Sequence, residues 1–283
     1  MVEASGPNAK EIAYWNGANG RKWVRFQESM DRMLEPLSRQ AMDTAGIGAG
    51  QSVLDVGCGC GGTSLDLARR VGPDGSVTGV DISSEMLARA VARAAAETGL
   101  PLQFLNADAS IESWAEPRDH AFSRMGVMFF RDPVASFANI RRALKSAGRF
   151  TFVCWGDRAR NPWRSIPMAV AERHIELPAS TPPDEPGPFA FADGDRVRRI
   201  LAEAGFADIR VDALERALLL GETVEGAAEH AVQLGPLGNV LREAPTDAQA
   251  RVADEMREAM SPHLQPDGVR LGCFCWLATA VAP

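Results

Sequence analysis

A chain of 283 residues with 46% hydrophobic and 24% charged content can hold one large α/β domain with an insertion, or two modest domains. Its net charge of −7 offers no basic stripe to neutralise phosphates, which argues against a general nucleic-acid binder, and the local cluster Arg196, Arg198 and Arg199 reads as a solvated helix face. No apolar run reaches the roughly 18–20 residues of a membrane span, and MVEASGPNAK lacks the basic-then-apolar layout of a secretory signal, so a cytoplasmic protein without membrane insertion is expected.

In chain order, residues 11–45 read as amphipathic helix, with Tyr14, Trp15, Trp23 and Phe26 crowded near its start. Two glycines and two asparagines within Tyr14–Gly20 predict a break, followed by a second helix from about Arg21 to Ala45 with a kink near Pro36. This N-terminal helical cap, residues 1–45, suits an aromatic staple on the core and a flap over a ligand equally well. After the linker 46–50, Val53-Leu54-Asp55-Val56 is a buried strand that runs into a glycine-rich turn, Gly57 to Gly62, and a helix to about Val71. Gly72–Gly75 is a turn, Ser76–Asp81 a second strand ending in an acid, and Ser83/Ser84 caps a helix over 84–97. Leu102–Asn106 is a third strand, ending in Ala107-Asp108-Ala109.

A loop with a short helix over 111–117 leads to a fourth strand, Ala121–Met125, and Asp132-Pro133 opens a helix through Leu144. Ala147-Gly148-Arg149 then turns into a fifth strand, Phe150–Trp155. The β-α alternation over residues 46–155 implies a parallel sheet with right-handed crossovers. Residues 156–192 break that rhythm: helical spacing over Trp163–Leu177 gives way to proline-rich sequence, an inserted lid. Residues 193–283 complete the sheet. Asp193–Gly205 is a helix and Phe206–Leu214 a strand. Two helices separated by Gly235–Gly238 form a substrate cap over about 222–262, and Val269–Val281 is a long last strand.

Ligands of an open parallel sheet bind beyond the carboxyl ends of its strands. Asp55 with the glycine turn, Asp81, Asp108 and Ser123–Met128 all end strands on that edge. Asp81 lies 26 residues after Asp55, the placement of a carboxylate that accepts hydrogen bonds from ribose hydroxyls. Gly57, Gly59 and Gly62 formally satisfy GxGxxG, yet the charge of Asp55 would repel a pyrophosphate and suits an ammonium group. A nucleoside joined to an amino acid therefore fits better than NAD. The five cysteines, Cys58, Cys60, Cys154, Cys273 and Cys275, show no CxxC spacing and read as reduced thiols, so no metal site is expected.

Val53–Gly62, Gly79-Val80-Asp81, Asn106–Ala109 and Leu144–Arg149 together resemble the class I S-adenosylmethionine-dependent methyltransferases over residues 45–155. Tyr14–Trp23 and Phe122–Pro133 also resemble the small-molecule subgroup related to ubiquinone/menaquinone-biosynthesis C-methyltransferases. The resemblance implies a Rossmann-like α/β fold: a seven-stranded, mostly parallel sheet whose antiparallel last strand inserts beside the fifth. It implies S-adenosyl-L-methionine as cofactor, with Asp55, Gly57, Cys58 and Gly59 at its methionine end. Asp81 would hold the ribose, Ile82 would pack on the adenine, and Asp108 with Ala109 would face the adenine amino group. Ser123, Arg124 and Met128 would border cofactor and substrate.

The implied reaction is methyl transfer to a small, partly apolar molecule, with Trp15, Trp23, Met128 and Trp155 as candidate substrate contacts. Two alternatives stay open: the same fold turned to methyl removal or decarboxylation, and, less favoured because of Asp55, an NAD-dependent oxidoreductase. No catalytic residue is singled out; of the four histidines, His120, His174, His230 and His263, the second and third could reach the mouth of the crevice. A homodimer is compatible with all of this.

Overall fold

The computed structural model describes residues 3–179, 181–233 and 235–283. Three N-terminal helices come first: α1 (Ala9–Trp15), α2 (Ala18–Arg25) and α3 (Gln27–Ala45). The expected break after Tyr14 is present, but the predicted single helix from Arg21 is divided again at Phe26. Pro36 lies inside α3 without ending it, and the face carrying Met30, Leu34, Leu37 and Ala41 stays buried across it.

Strands and helices then alternate: β1 (Ser52–Val56), α4 (Gly62–Val71), β2 (Ser76–Asp81), α5 (Ser84–Ala95), β3 (Leu102–Asn106), β4 (Arg118–Arg124), α6 (Pro133–Arg142) and β5 (Leu144–Trp155). Helix starts follow capping chemistry. Ser83 accepts a hydrogen bond from Met86 N, and Asp132 accepts one from Ala135 N ahead of Pro133. Residues 111–117 are turn and irregular backbone, not the expected short helix. β5 starts at Leu144, earlier than predicted. Its register against β4 shifts between Arg118 and His120, and Ala147 takes φ +61°, so the expected turn is an irregularity within the strand.

The second half contributes α7 (Pro162–Ala171), α8 (Gly194–Glu203), β6 (Ala207–Gly221), α9 (Val224–Gln233), α10 (Gly235–Glu243), α11 (Thr246–Met260), β7 (Leu264–Gln265) and β8 (Gly268–Val281). Three departures stand out: α7 stops short of Leu177, β6 runs on past Leu214, and the residues predicted to separate two cap helices open a third, α10. The short β7, paired only to β8, was not expected.

The sheet order is β3-β2-β1-β4-β5-β8-β6. β1 through β5 pair in parallel, and β8 inserts antiparallel between β5 and β6, as expected of the last strand. This is the Rossmann-like, mostly parallel α/β sheet that the resemblance implied. Phe150 and Phe152 of β5 pack with Phe137, Phe191 and Phe206 to fill one side of the sheet, while α3 lies against β5 and β6. β5 ends at Trp155 opposite Cys275, yet β6 follows β8 as far as Gly221 opposite Val269. The β6–β8 ribbon thus projects past the carboxyl edge of the parallel strands, where α9–α11 and α7 pack around it.

Candidate active site at the strand ends

The glycine turn after β1 owes its shape to positive φ at Gly57 (+68°), Gly59 (+55°) and Gly61 (+79°). A Cβ on Gly57 would stand 2.8 Å from Gly126 Cα, so two backbones meet here with no room for a side chain. Gly57 N and Cys58 N both donate to Val80 O, at 2.9 and 3.1 Å, which ties the turn to β2.

Asp81 closes the loop from the other side. Its Oδ2 accepts from Gly59 N (2.8 Å) and its Oδ1 from Ser83 N (2.8 Å). Half-buried, the carboxyl has its pKa raised by desolvation, against the lowering effect of these N–H donors. Each oxygen retains a lone pair for a further donor.

Asp55 is completely buried. Its Oδ2 accepts from the hydroxyls of Thr63 and Ser64, both at 2.6 Å, at the start of α4. Oδ1 has no partner. Burial pushes the carboxyl pKa up to about 6, against the pull of the two hydroxyls. The neighbouring Cys58 thiol is also buried and its pKa is raised, first by desolvation and then by Asp81 and Asp55.

At the end of β3, Asp108 is buried and already partnered: Asn8 Nδ2 donates to both carboxylate oxygens at 3.0 Å, and Ser110 N donates to Oδ1 at 2.9 Å. Ala109 is buried beside it, its carbonyl accepting from Asn139 Nδ2. Ile82 is half-buried and its carbonyl accepts from Asn16 Nδ2 at 2.9 Å. Ser123, fully buried, donates to Val56 O at 2.7 Å and so ties β4 to β1 instead of facing an open space.

The N-terminal helices cover this edge through polar residues that the sequence motifs did not reveal. Asn8 also donates to Ser110 Oγ (2.9 Å) and accepts from Arg131 N (2.9 Å). Asn16 accepts from Ser84 N and Oγ, each at 3.0 Å, and Ser83 Oγ donates to Trp15 O. Asp31 on α3 accepts from Gln27 Nε2 (2.7 Å) and pairs with Arg93 (2.9 Å) and Arg124 (3.3 Å). In sequence, Asn16 passes for a turn residue, and Asn8 and Asp31 belong to no motif.

The four candidate substrate contacts form two groups. Trp15 meets Trp23 (ring centroids 6.0 Å apart) and Phe129 (5.1 Å) edge-on. Met128 and Trp155 are enclosed; Met128 Sδ accepts from Trp155 N at 3.3 Å, and Trp155 packs on Trp163 at 4.5 Å. His174 Nε2 lies 2.8 Å from Glu255 Oε1 of α11 but is buried without hydrogen-bond geometry to it. His230 is buried on α9, with its pKa lowered by burial to about 4, and His120 is buried within β4. Among the described residues no three His, Cys, Asp or Glu side chains converge on a metal position, and no helix is long and apolar enough to cross a membrane.

Residues 53–148 match a family model described as a methyltransferase domain. An uncharacterized protein of Mycobacterium tuberculosis is 34% identical over 126 residues, which cover 44% of each chain, so this chain spans less than half the length of the first curated relatives it matches. Nocamycin O-methyltransferase of Saccharothrix syringae is 30% identical over 194 residues, covering 62% of this chain and 66% of that one. Among solved structures, phosphoethanolamine N-methyltransferase 2 of Haemonchus contortus in complex with S-adenosyl-L-methionine aligns with a TM-score of 0.53. It is 22% identical, over 88% of this chain and 52% of that one, and the likeness is one of fold.

Proposed function

We propose that this chain is a class I methyltransferase that uses S-adenosyl-L-methionine to methylate a small molecule. The observation that carries the proposal is Asp81, a strand-end carboxylate held by Gly59 N and Ser83 N with a lone pair free on each oxygen. Asp55 adds to it: a buried, orphaned oxygen beside the glycine turn suits a cationic ligand group and opposes a pyrophosphate. The methyltransferase-domain match over residues 53–148 and the named relatives support the same reaction class.

The residues present fit this cofactor, which when bound supplies a methyl group already activated on a sulfonium. Asp81 accepts hydrogen bonds from the ribose hydroxyls. Ile82 packs against the adenine, and Asp108 with Ala109 faces its amino group, next to the Asn8 contact. Gly57, Cys58 and Gly59 let the backbone approach the amino-acid tail, and Asp55 holds negative charge behind it. Ser123 keeps the ends of β1 and β4 in register beneath the site. Half-buried Trp15 and Trp23 touch the substrate, while Met128 and Trp155 support that pocket from within the fold. The N-terminal helices and the cap of α7 and α9–α11 hold donor and acceptor in line and exclude water, the main task in a displacement whose electrophile arrives activated. Kinship with the ubiquinone/menaquinone C-methyltransferases, a cytoplasmic location and a homodimer belong to the same proposal.

Calorimetric titration tests it. The protein is expected to bind S-adenosylhomocysteine and not NAD. Asp81→Ala removes an acceptor for two hydroxyls, worth about 1.5–3 kcal/mol each as charged hydrogen bonds, so affinity should fall at least about 100-fold. Undiminished binding by that variant overturns the site; preferential NAD binding overturns the reaction class.

A further inference from the structure

The inserted segment after β5 carries two arginines that make no ion pair among the described residues. It leaves Trp155 through Gly156 and a single 3-10 turn, Arg158–Arg160, before α7 begins. Asn161, fully buried at that junction, donates to Asp157 O (2.7 Å) and Phe274 O (3.1 Å) and accepts from Phe274 N (3.0 Å) and Trp163 Nε1 (2.9 Å). Every hydrogen-bonding position of its amide is used, so the turn is clamped to β8 and the directions of its neighbours are set.

Three aromatic rings follow in steps. Trp155 packs on Trp163 at 4.5 Å, and Trp163 lies near-parallel to Phe189, 18° apart with centroids at 6.4 Å. The guanidinium carbons of Arg158 and Arg164 each stand 5.3 Å from the Phe189 ring centre. Among the described residues neither arginine has an ion pair, and Arg164 Nε is buried without a hydrogen-bond partner. Neighbouring Arg160 shows the contrast, since it pairs with Glu215 and covers Phe274. The acid on the same turn, Asp157, accepts from Ala159 N through Oδ1 and forms no ion pair with either arginine among the described residues. Burial, and then the charge of Arg158, depress the pKa of Arg164. Two guanidinium groups sharing one ring, one of them partly desolvated, form an arrangement that a bound anion would relieve.

The cluster is tied to the strand-end crevice. Gly187 N, two residues before Phe189, donates to Met128 O (3.1 Å), and Met128 Sδ accepts from Trp155 N. Gly126, two residues before Met128, packs against Gly57. Planar guanidinium forks match the paired oxygens of carboxylates and phosphates, and stacked rings match a flat apolar body.

We propose that Arg158 and Arg164 form an oxyanion subsite of the substrate pocket, so that the substrate is a flat, apolar small molecule bearing a carboxylate or phosphate. This rests on the methyltransferase reading for its place beside the cofactor, and the test separates the two. Binding of 1-naphthoate, 1-naphthyl phosphate and the neutral 1-naphthalenemethanol is measured by calorimetry, with and without saturating S-adenosylhomocysteine. At least one anionic probe is expected to bind at least 10-fold more tightly than the alcohol, and the tighter of the two identifies carboxylate or phosphate. Arg164→Gln and Arg158→Gln should each remove most of that preference, Arg164→Lys should keep part of it, and S-adenosylhomocysteine affinity should be unchanged in all three. Equal affinity for the three probes, no binding of either anion, or an undiminished preference in both glutamine variants overturns the subsite. Anion binding without any S-adenosylhomocysteine binding upholds the subsite and overturns the cofactor assignment instead.

Discussion

Asp55 should make this protein less stable as pH rises through the range where carboxylates ordinarily have no further effect. Its carboxyl is fully enclosed, with two hydroxyl donors on one oxygen and none on the other, and burial moves its pKa from 3.8 to about 6. An acid whose folded-state pKa lies above its unfolded value holds its proton more tightly in the native state. The stability it contributes is therefore fully present below about pH 3.8 and lost as pH rises through about 6. A difference of about 2.2 units at 1.36 kcal/mol per unit gives a loss of about 3 kcal/mol. Asp55→Asn keeps one acceptor for Thr63 and Ser64 and removes the charge. In urea unfolding of both proteins without ligand at pH 4, 5, 6 and 7.5, the variant should gain about 2.4 kcal/mol on the wild type between the ends of the series, because the unfolded carboxyl is already partly ionised at pH 4. Any constant cost of the new amide is the same at every pH and cancels. A stability difference that does not change with pH would refute the reasoning. A gain of that size would mean that the ionised carboxylate is kept at a cost to the fold, as expected where a site waits for a cation.

Three further outcomes follow from the same geometry. Asn8→Ala removes donors to Asp108 and Ser110 and the acceptor for Arg131 N, so it should cost about 2 kcal/mol and speed amide exchange over Ala9–Trp15; unchanged exchange would show that α1 is held by other contacts. Gly57→Ala places a Cβ 2.8 Å from Gly126 Cα at φ +68°, and should lose about 2 kcal/mol or more together with S-adenosylhomocysteine binding; wild-type melting and binding would contradict the close approach. Asn161→Ala leaves Phe274 N and the Trp163 indole without this acceptor, while Phe274 O keeps Gly156 N; it should cost about 2 kcal/mol in urea unfolding, with a changed tryptophan emission, and a neutral substitution would remove the clamp on the turn before α7.

The first five strands were legible because each carries its own signal. Val53-Leu54-Asp55-Val56, Ser76–Asp81 and Leu102–Asn106 are short apolar runs ending in an acid or a turn, and their pairing follows from parallel-sheet topology. Where the prediction failed, a distant partner had overridden local preference. Residues 215–221 begin with Glu215 and Arg216 and look like the end of a strand, yet β8 pairs with them across to Val269. Gly235 and Gly238 look like helix breakers, yet they fall inside α10, which packs on α9 and α7. Pro36 costs α3 one backbone donor, which the burial of Leu34, Leu37 and Ala41 on either side of it outweighs.

The two ends of the candidate site differ in legibility for the same reason. At the cofactor end the geometry needs residues that are conspicuous in sequence: glycines at positive φ and carboxylates at the ends of buried strands. Asp55, Asp81 and Asp108 could therefore be placed on one edge in advance. Asn8 could not, because it finds Asp108 across 100 residues, and Asn16 reaches Ile82 across 66, separations with no periodicity to betray them. The proposed substrate end joins a short run, residues 155–164, to Phe189, 25 residues further on. Trp155 ends a strand, Trp163 starts a helix, Phe189 sits in irregular backbone, and Arg158 and Arg164 flank the turn between the first two; only the fold puts them around one ring. A glycine motif can thus announce the donor of a group while the acceptor goes unread, and the acceptor has to be sought where long side chains from separate elements meet with their charges unmatched.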